Sequence, residues 1–256
     1  MSRTVSIKTK LKQKRGQGHG RDYKPWIRSD EMPGHESTFR TPIDWKHGRT
    51  MQLLSGGEMD LYYILRWRDD VIDIREQFPL LPIESTIDIA KIHGRRHPRD
   101  KNGYVVLTSD MLVDYADGHQ EVYSVKYSKK DLLDEKNQMK NIWLEKQFWQ
   151  SQENPPDYRI VFEKELNTVL AQNICRIVYY WQPESVTDKV SLFYFLAAHK
   201  KIAIPDFETE SLTPYRSKEL ADQYISDRGL DKKIEQAQEM AKLLKQYQYE
   251  MNDNKN

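Results

Sequence analysis

Residues 108–127 read TSDMLVDYADGHQEVYSVKY. Period-two alternation places Thr108, Asp110, Leu112 and Asp114 on one face of a strand spanning residues 104–115. Asp117-Gly118 is a strong turn signal, and residues 121–127 read as the returning strand, with Ser124 and Lys126 sharing a face. The hairpin sets an aspartate on one strand and a lysine on its neighbour.

Outward from the hairpin, the same logic gives an α/β unit. The segment SGGEMDLYYILRW (55–67) reads as a helix with Leu54, Leu61 and Leu65 on one stripe and Tyr62 beside it. Ser55 followed three residues later by Glu58 fits a capping box at its start. Residues 71–74 read as a short strand ended by Pro79 and Pro82, and STIDIAKIHG (85–94) as a further strand or edge segment. A helix over 131–151, with Met139, Ile142, Trp143 and Trp149 as its apolar positions, stops at Pro155-Pro156. YRIVFEKEL (158–166) supplies a last strand, which makes a βαβ-containing unit of about 165 residues. From about Asn167 the pattern turns mostly helical, as in a small helical or winged-helix module. The tail helix places Ile234, Ala237, Ala241 and Leu244 on one stripe, suited to packing on its own domain or in a partner's groove.

Composition narrows the class. With 38% apolar and 31% charged residues, the 256-residue chain is polar yet too rich in Trp and Tyr for disorder. A net charge of +1 carries no global signal for nucleic acid or membrane, but Arg3, Lys8, Lys10, Lys12, Lys14, Arg15, Arg21, Lys24 and Arg28 crowd the first 28 residues against one acid, Asp22. Such an arm can neutralise phosphates or remain a solvated terminus. The single cysteine, Cys175, excludes a disulfide framework and reads as a core residue among apolar neighbours. There is neither an apolar stretch of bilayer length nor a signal-peptide segment, so the chain reads as soluble and intracellular. The segment RGQGHGRDYKPW (15–26) lacks the preceding strand and the Gly-Lys-Ser/Thr ending of a phosphate loop. His93 and His97 stand four apart, but Gly94 and Pro98 forbid the helix that would aim both at Zn²⁺.

The hairpin's chemistry suits phosphodiester hydrolysis. Carboxylates on neighbouring elements can hold Mg²⁺, which activates water and stabilises the developing phosphate charge, and a lysine beside them can position that water. PD-(D/E)xK nucleases use an acid on one strand and acid-x-Lys on the next. Here Ser124 stands where the second acid belongs. A Glu at the start of a packed helix completes such a set, although Glu58 also serves as the acid of a cap and Asp117 as a turn former.

RGQGHGRDYKPW, LLSGGEMDLYYILRW (53–67), VIDIREQFPLLP (71–82), the His-Pro at 97–98 and TSDMLVDYADG (108–118) together resemble the TnsA family, the endonuclease subunits of heteromeric Tn-seven-class transposases. The resemblance covers most of residues 14–170 and fades in the last third. It implies a restriction-endonuclease-like (PD-(D/E)xK) N-terminal domain and a mostly helical, winged-helix-like C-terminal domain. Their spans are a basic DNA-contacting arm over 1–28, a nuclease domain over 29–166, and a partner- and DNA-binding domain over 167–256. It also implies Mg²⁺-dependent cutting of the 5′ strands at transposon ends, with Mn²⁺ as a substitute ion, in a bacterial, nucleoid-associated, cytoplasmic setting. The implied partners are double-stranded DNA, a TnsB-like transposase and a TnsC-like ATPase regulator. By position, the catalytic residues fall on Glu58, Asp110 and Lys126, the metal ligands on Glu58, Asp110 and the Val125 carbonyl, and accessory roles on Ser124 and Glu145. Lys12, Lys14, Arg15, His19, Arg21 and Lys24 would contact DNA. Two rivals remain: a stand-alone repair or restriction nuclease of the same fold, and a non-catalytic DNA-binding assembly factor.

Overall fold

The computed structural model describes residues 5–31, 40–134, 136–230 and 232. The chain divides into two compact units, Met1–Ala171 and Gln172–Asn256. In chain order the first contains α1 (Ile7–Lys12), α2 (Gly56–Trp67), β1 (Val71–Pro79), α3 (Ile83–Ile92), β2 (Arg99–Asp100), β3 (Gly103–Tyr104), β4 (Thr108–Tyr115), β5 (Gln120–Lys126), α4 (Lys129–Asp134), α5 (Lys136–Gln150) and β6 (Asp157–Phe162). The division falls within α6 (Thr168–Val178), and α7 (Lys189–Ala198) and α8 (Pro214–Ala221) follow.

A four-stranded mixed sheet in the order β1-β4-β5-β6 organises the first unit. β1, β4 and β5 are antiparallel neighbours, whereas β6 runs parallel to β5. That parallel step is possible because α4 and α5 carry the chain back between the two strands. Leu112 and Val122 face Phe148 and Trp149 of α5, and Leu80 joins the cluster with Ile89 of α3 packed against it. Met111 and Val113 are buried as well, so the sheet is covered on both faces.

Two expectations about elements change in the folded chain. Residues 83–92 form α3 rather than a strand. Its buried Thr86 and Ala90 stand four apart, the spacing of one helical face, and the short β-branched run had masked that period. β1 extends through Pro79 instead of stopping at Ile74. Pairing with β4 from Val71↔Tyr115 to Pro79↔Thr108 sustains it, and an edge strand tolerates its terminal proline. The helix expected over 131–151 is met by Lys129–Asp134 and Lys136–Gln150, which flank the one undescribed position, 135.

The basic, glycine-rich segment lies on β1. Tyr23 donates to the Glu76 carbonyl at 2.9 Å, and the Trp26 amide donates to the Gln77 carbonyl at 3.2 Å. Gly16 has φ +78°, and a Cβ there would sit 2.2 Å from Pro79 Cγ, so this contact admits only glycine. Arg15 is buried, with its guanidinium on Glu31 and the Trp26 carbonyl. It anchors the segment from inside. Lys12, Lys14, Arg21 and Lys24 remain exposed.

Segment 40–53 folds back on itself through the bridges Arg40↔Leu53 and Ile43↔Thr50. It is tied to α2 by an ion pair: Arg66, fully buried, meets both oxygens of Asp44 at 2.8 and 3.0 Å. Tyr62 adds a hydrogen bond to Asp44 at 3.1 Å, and Arg66 reaches the Ile72 carbonyl at 3.0 Å, linking α2 to β1.

In the second unit, Ile174, Ile177, Phe193, Tyr194, Leu212, Ala221 and Ile225 form the buried core. Asn173 ties its loop in place through the Phe207 and Glu210 carbonyls and the Leu212 amide. Cys175 is half-buried rather than a core residue, because it lies one position off the Ile174/Ile177 face. Among the described residues of this unit there is no strand. The tail stripe Ile234–Leu244 lies outside the described residues.

Candidate active site

Asp110 sits where the β4–β5 ladder ends. Backbone pairing runs from Asp114↔Gln120 to Met111↔Tyr123. One step further, the Asp110 carboxylate takes the Val125 amide, with Oδ2 at 2.6 Å. The next residue along β5 is Lys126, whose Nζ lies 3.4 Å from that same oxygen and 2.7 Å from the Val125 carbonyl. The acid and the lysine therefore meet on one face, as the period-two reading requires.

Glu58 reaches the same cleft from the first turn of α2. Its amide donates to Ser55 Oγ at 3.0 Å, and its Oε1 accepts from that hydroxyl at 3.2 Å. Oε2 accepts the Leu54 amide at 2.9 Å and Gln77 Nε2 at 3.1 Å. The cap and the site are thus one residue: capping holds the carboxylate still, and its position on α2 aims it at Asp110. Burial, and then the Asp110 charge, push the Glu58 carboxyl up to about 8.

Glu145 of α5 is the third carboxylate, buried and pushed up to about 8, first by burial and then by Asp110. Its Oε2 accepts from the Tyr158 hydroxyl at 3.0 Å, and the Ser109 hydroxyl also interacts with the carboxylate. Ser124 is buried and interacts with the same Tyr158 hydroxyl. Ser124 therefore touches the tyrosine that bonds Glu145.

Glu58, Asp110, Ser124, Val125, Lys126 and Glu145 all line one cleft of about 520 Å³. Sequence reasoning missed Gln77 and Tyr158. Gln77 is buried with φ +49°, a conformation rare for a side chain of this kind, and it bridges Glu58 to Thr108 Oγ1. No sequence signal singled it out, because β1 also carries Asp73, Arg75 and Glu76. Tyr158 had none, because only the pairing of β6 with β5 brings it near Glu145.

Three carboxylates that line one cleft with a single lysine form a hard-oxygen donor set short of positive charge. Such a set fits a divalent cation. His19 lies elsewhere, beside Asp73 and Asp114. His97 is a structural residue bonded to Thr86 Oγ1 at 2.9 Å, and His93 stacks edge-on against Trp143.

Residues 68–163, which carry Asp110, Val125, Lys126 and Glu145, match the family model for the TnsA-like endonuclease N-terminal domain. Over 170 residues the chain is 37% identical to the transposon Tn7 transposition protein TnsA of Escherichia coli. The chain belongs to the TnsA family. The aligned region spans 66% of this chain and 61% of that relative. No helix among the described residues is long and apolar enough to cross a membrane.

The raised carboxyls predict a pH-dependent response to cations. In the folded chain Glu58 and Glu145 keep their protons up to about pH 8, whereas unfolded they lose them near the ordinary value of 4.5. Stability without a cation therefore falls as pH rises between those limits and levels off above them. A divalent cation replaces those protons, so its stabilisation grows over the same window. Thermal unfolding should show a small Mn²⁺-induced rise in Tm at about pH 6 and a larger one at about pH 8.5. A cation effect independent of pH would contradict the assignment of these carboxylates.

Proposed function

We propose that this chain is the DNA endonuclease subunit of a heteromeric transposase, cutting the 5′ strands at transposon ends with Mg²⁺. The observation that carries this reading is the convergence of Glu58, Asp110, Glu145 and Lys126 in one cleft, delivered by α2, β4, α5 and β5 of a mixed sheet. That order of elements supports a restriction-endonuclease-like fold. The winged-helix reading of the second unit rests on its helices alone.

Glu58, Asp110 and the Val125 carbonyl would hold the cation, with Glu145 as a fourth oxygen donor. Bound there, Mg²⁺ lowers the pKa of water and offsets charge on the scissile phosphate. The residues themselves do the positioning. Gln77 and Ser55 fix the Glu58 carboxylate, and the Val125 amide fixes Asp110. Lys126 is held at the edge of Asp110, where its ammonium can orient the attacking water and meet the phosphate. Hydrolysis leaves a 3′-hydroxyl and a 5′-phosphate. The exposed Lys12, Lys14, Arg21 and Lys24 supply backbone contacts. With a net charge of only +1, the chain takes end specificity from a TnsB-like transposase under a TnsC-like ATPase.

The test is strand-resolved end cleavage by the full chain, with and without the partner transposase and with and without chelator. The expected result is 5′-strand breaks that need both the partner and the cation. Sequence-specific cutting by the chain alone would instead support the stand-alone nuclease.

A further inference from the structure

At the other end of the β1–β4 pair from Asp110, Asp73 and Asp114 stand directly opposite each other. Like charges so placed destabilise a sheet unless something offsets them. Arg75 offsets part, donating to Asp114 Oδ1 at 2.8 Å, and Gln120 bonds the same oxygen. Arg49 is occupied by the Gly20 and Ile74 carbonyls and by Glu76. Two imidazoles face the remaining oxygens. His19 Nδ1 is 3.6 Å from Asp73 Oδ2 and 3.6 Å from Asp114 Oδ2, and His47 Nδ1 is 3.7 Å from Asp73 Oδ1.

These separations are too long for hydrogen bonds. They are close to the roughly 3.3 Å that divides two ligands of a tetrahedral ion whose bonds are about 2.0 Å. The donor atoms of His19, Asp73 and Asp114 all lie within 4.8 Å of one another. A second observation also indicates a missing ligand. The Asp73 side chain is only 7% exposed, yet its Oδ1 has no hydrogen-bond partner. Its other oxygen is fixed by the Gly20 amide at 2.8 Å, as Asp114 is by Arg75, the kind of outer support that metal-binding carboxylates receive. The cleft lined by these residues is open, and His19 is 72% exposed, so an ion can enter.

The geometry points to a second cation site, in which His19, Asp73 and Asp114 bind Zn²⁺ and clip the glycine-rich segment onto the sheet. Mixed imidazole and carboxylate donors favour a borderline transition metal over Mg²⁺, which prefers oxygen alone. The site is separate from the cleft of Glu58, Asp110 and Glu145, and its role is structural. His19 belongs to the segment and the two aspartates to β1 and β4 of the sheet, so one ion joins the segment to two strands.

The experiment uses the full chain stripped by chelator, then titrated with Zn²⁺ and, as a spectroscopic probe, Co²⁺. Asp110→Ala should retain one tight Zn²⁺ per chain with its Co²⁺ absorption. His19→Ala and the isosteric Asp73→Asn should weaken it at least about 100-fold, beyond the 10–100-fold cost of losing an outer-shell partner. Zn²⁺ should also raise the Tm of Asp110→Ala and not that of the double variant Asp110→Ala/His19→Ala, because the exposed His19 side chain can be removed without disturbing the core. Wild-type affinity in His19→Ala, or Zn²⁺ binding lost only in Asp110→Ala, would overturn the proposal.

Discussion

Asp110→Ala is expected to abolish 5′-strand cutting in the reconstituted transposase while 3′-strand cutting by the partner continues. Asp110 has two roles that no neighbour duplicates. Its Oδ2 holds the Val125 amide at the end of the ladder and stands 3.4 Å from Lys126 Nζ. Removing it takes one oxygen from the cation and frees the lysine that positions water. Loss of a single preorganised charge partner costs about 10²–10³ in rate, and losing ligand and positioning together should exceed that. Lys126→Ala, which spares the carboxylates, should slow cutting without weakening Mn²⁺ binding. The rival assembly-factor reading expects unchanged products from Asp110→Ala. A gel resolving the two strands therefore decides between them.

Asp44→Ala is expected to destabilise the first unit by about 3–5 kcal/mol, because it strands a fully buried guanidinium. Arg66 meets Asp44 through two nitrogens, and Tyr62 also bonds the carboxylate. Burial acts to raise the Asp44 carboxyl, but the Arg66 charge and hydrogen bond and the His47 amide outweigh it and hold the group below its ordinary value. Its stabilisation is therefore complete above the unfolded value of 3.8 and is lost as pH falls through the lower folded value. Urea unfolding at neutral pH gives the magnitude. A loss under about 1 kcal/mol would mean that water reaches Arg66 and that the pair is not sealed. Because Arg66 also bonds the Ile72 carbonyl of β1, the variant should loosen α2 and with it Glu58.

The hairpin and its acid–lysine pair were legible in the sequence because strand periodicity is strictly two and Asp-Gly marks the turn. The start of α2 was legible for a similarly local reason: Ser55 and Glu58 satisfy each other across one helical turn. The α3 helix was misread because a few alternating β-branched residues suit either element, and only packing against α5 decides between them. Arg15 illustrates the limit of counting charges. By composition it belonged to a DNA-contacting arm, yet in the fold it points inward to Glu31.

What the sequence determined alone was therefore local: element types, the turn, the helix cap, and which side chains share a strand face. Tertiary structure decided what those faces meet. It brought Glu145 and Tyr158 to Asp110 through the β5–α5–β6 crossover, placed Gln77 beneath Glu58, and set His19 against Asp73 and Asp114. Short-range periodicity fixes the direction of a side chain, but distances between residues far apart in the chain depend on which surfaces bury together, and burial is a property of the whole fold.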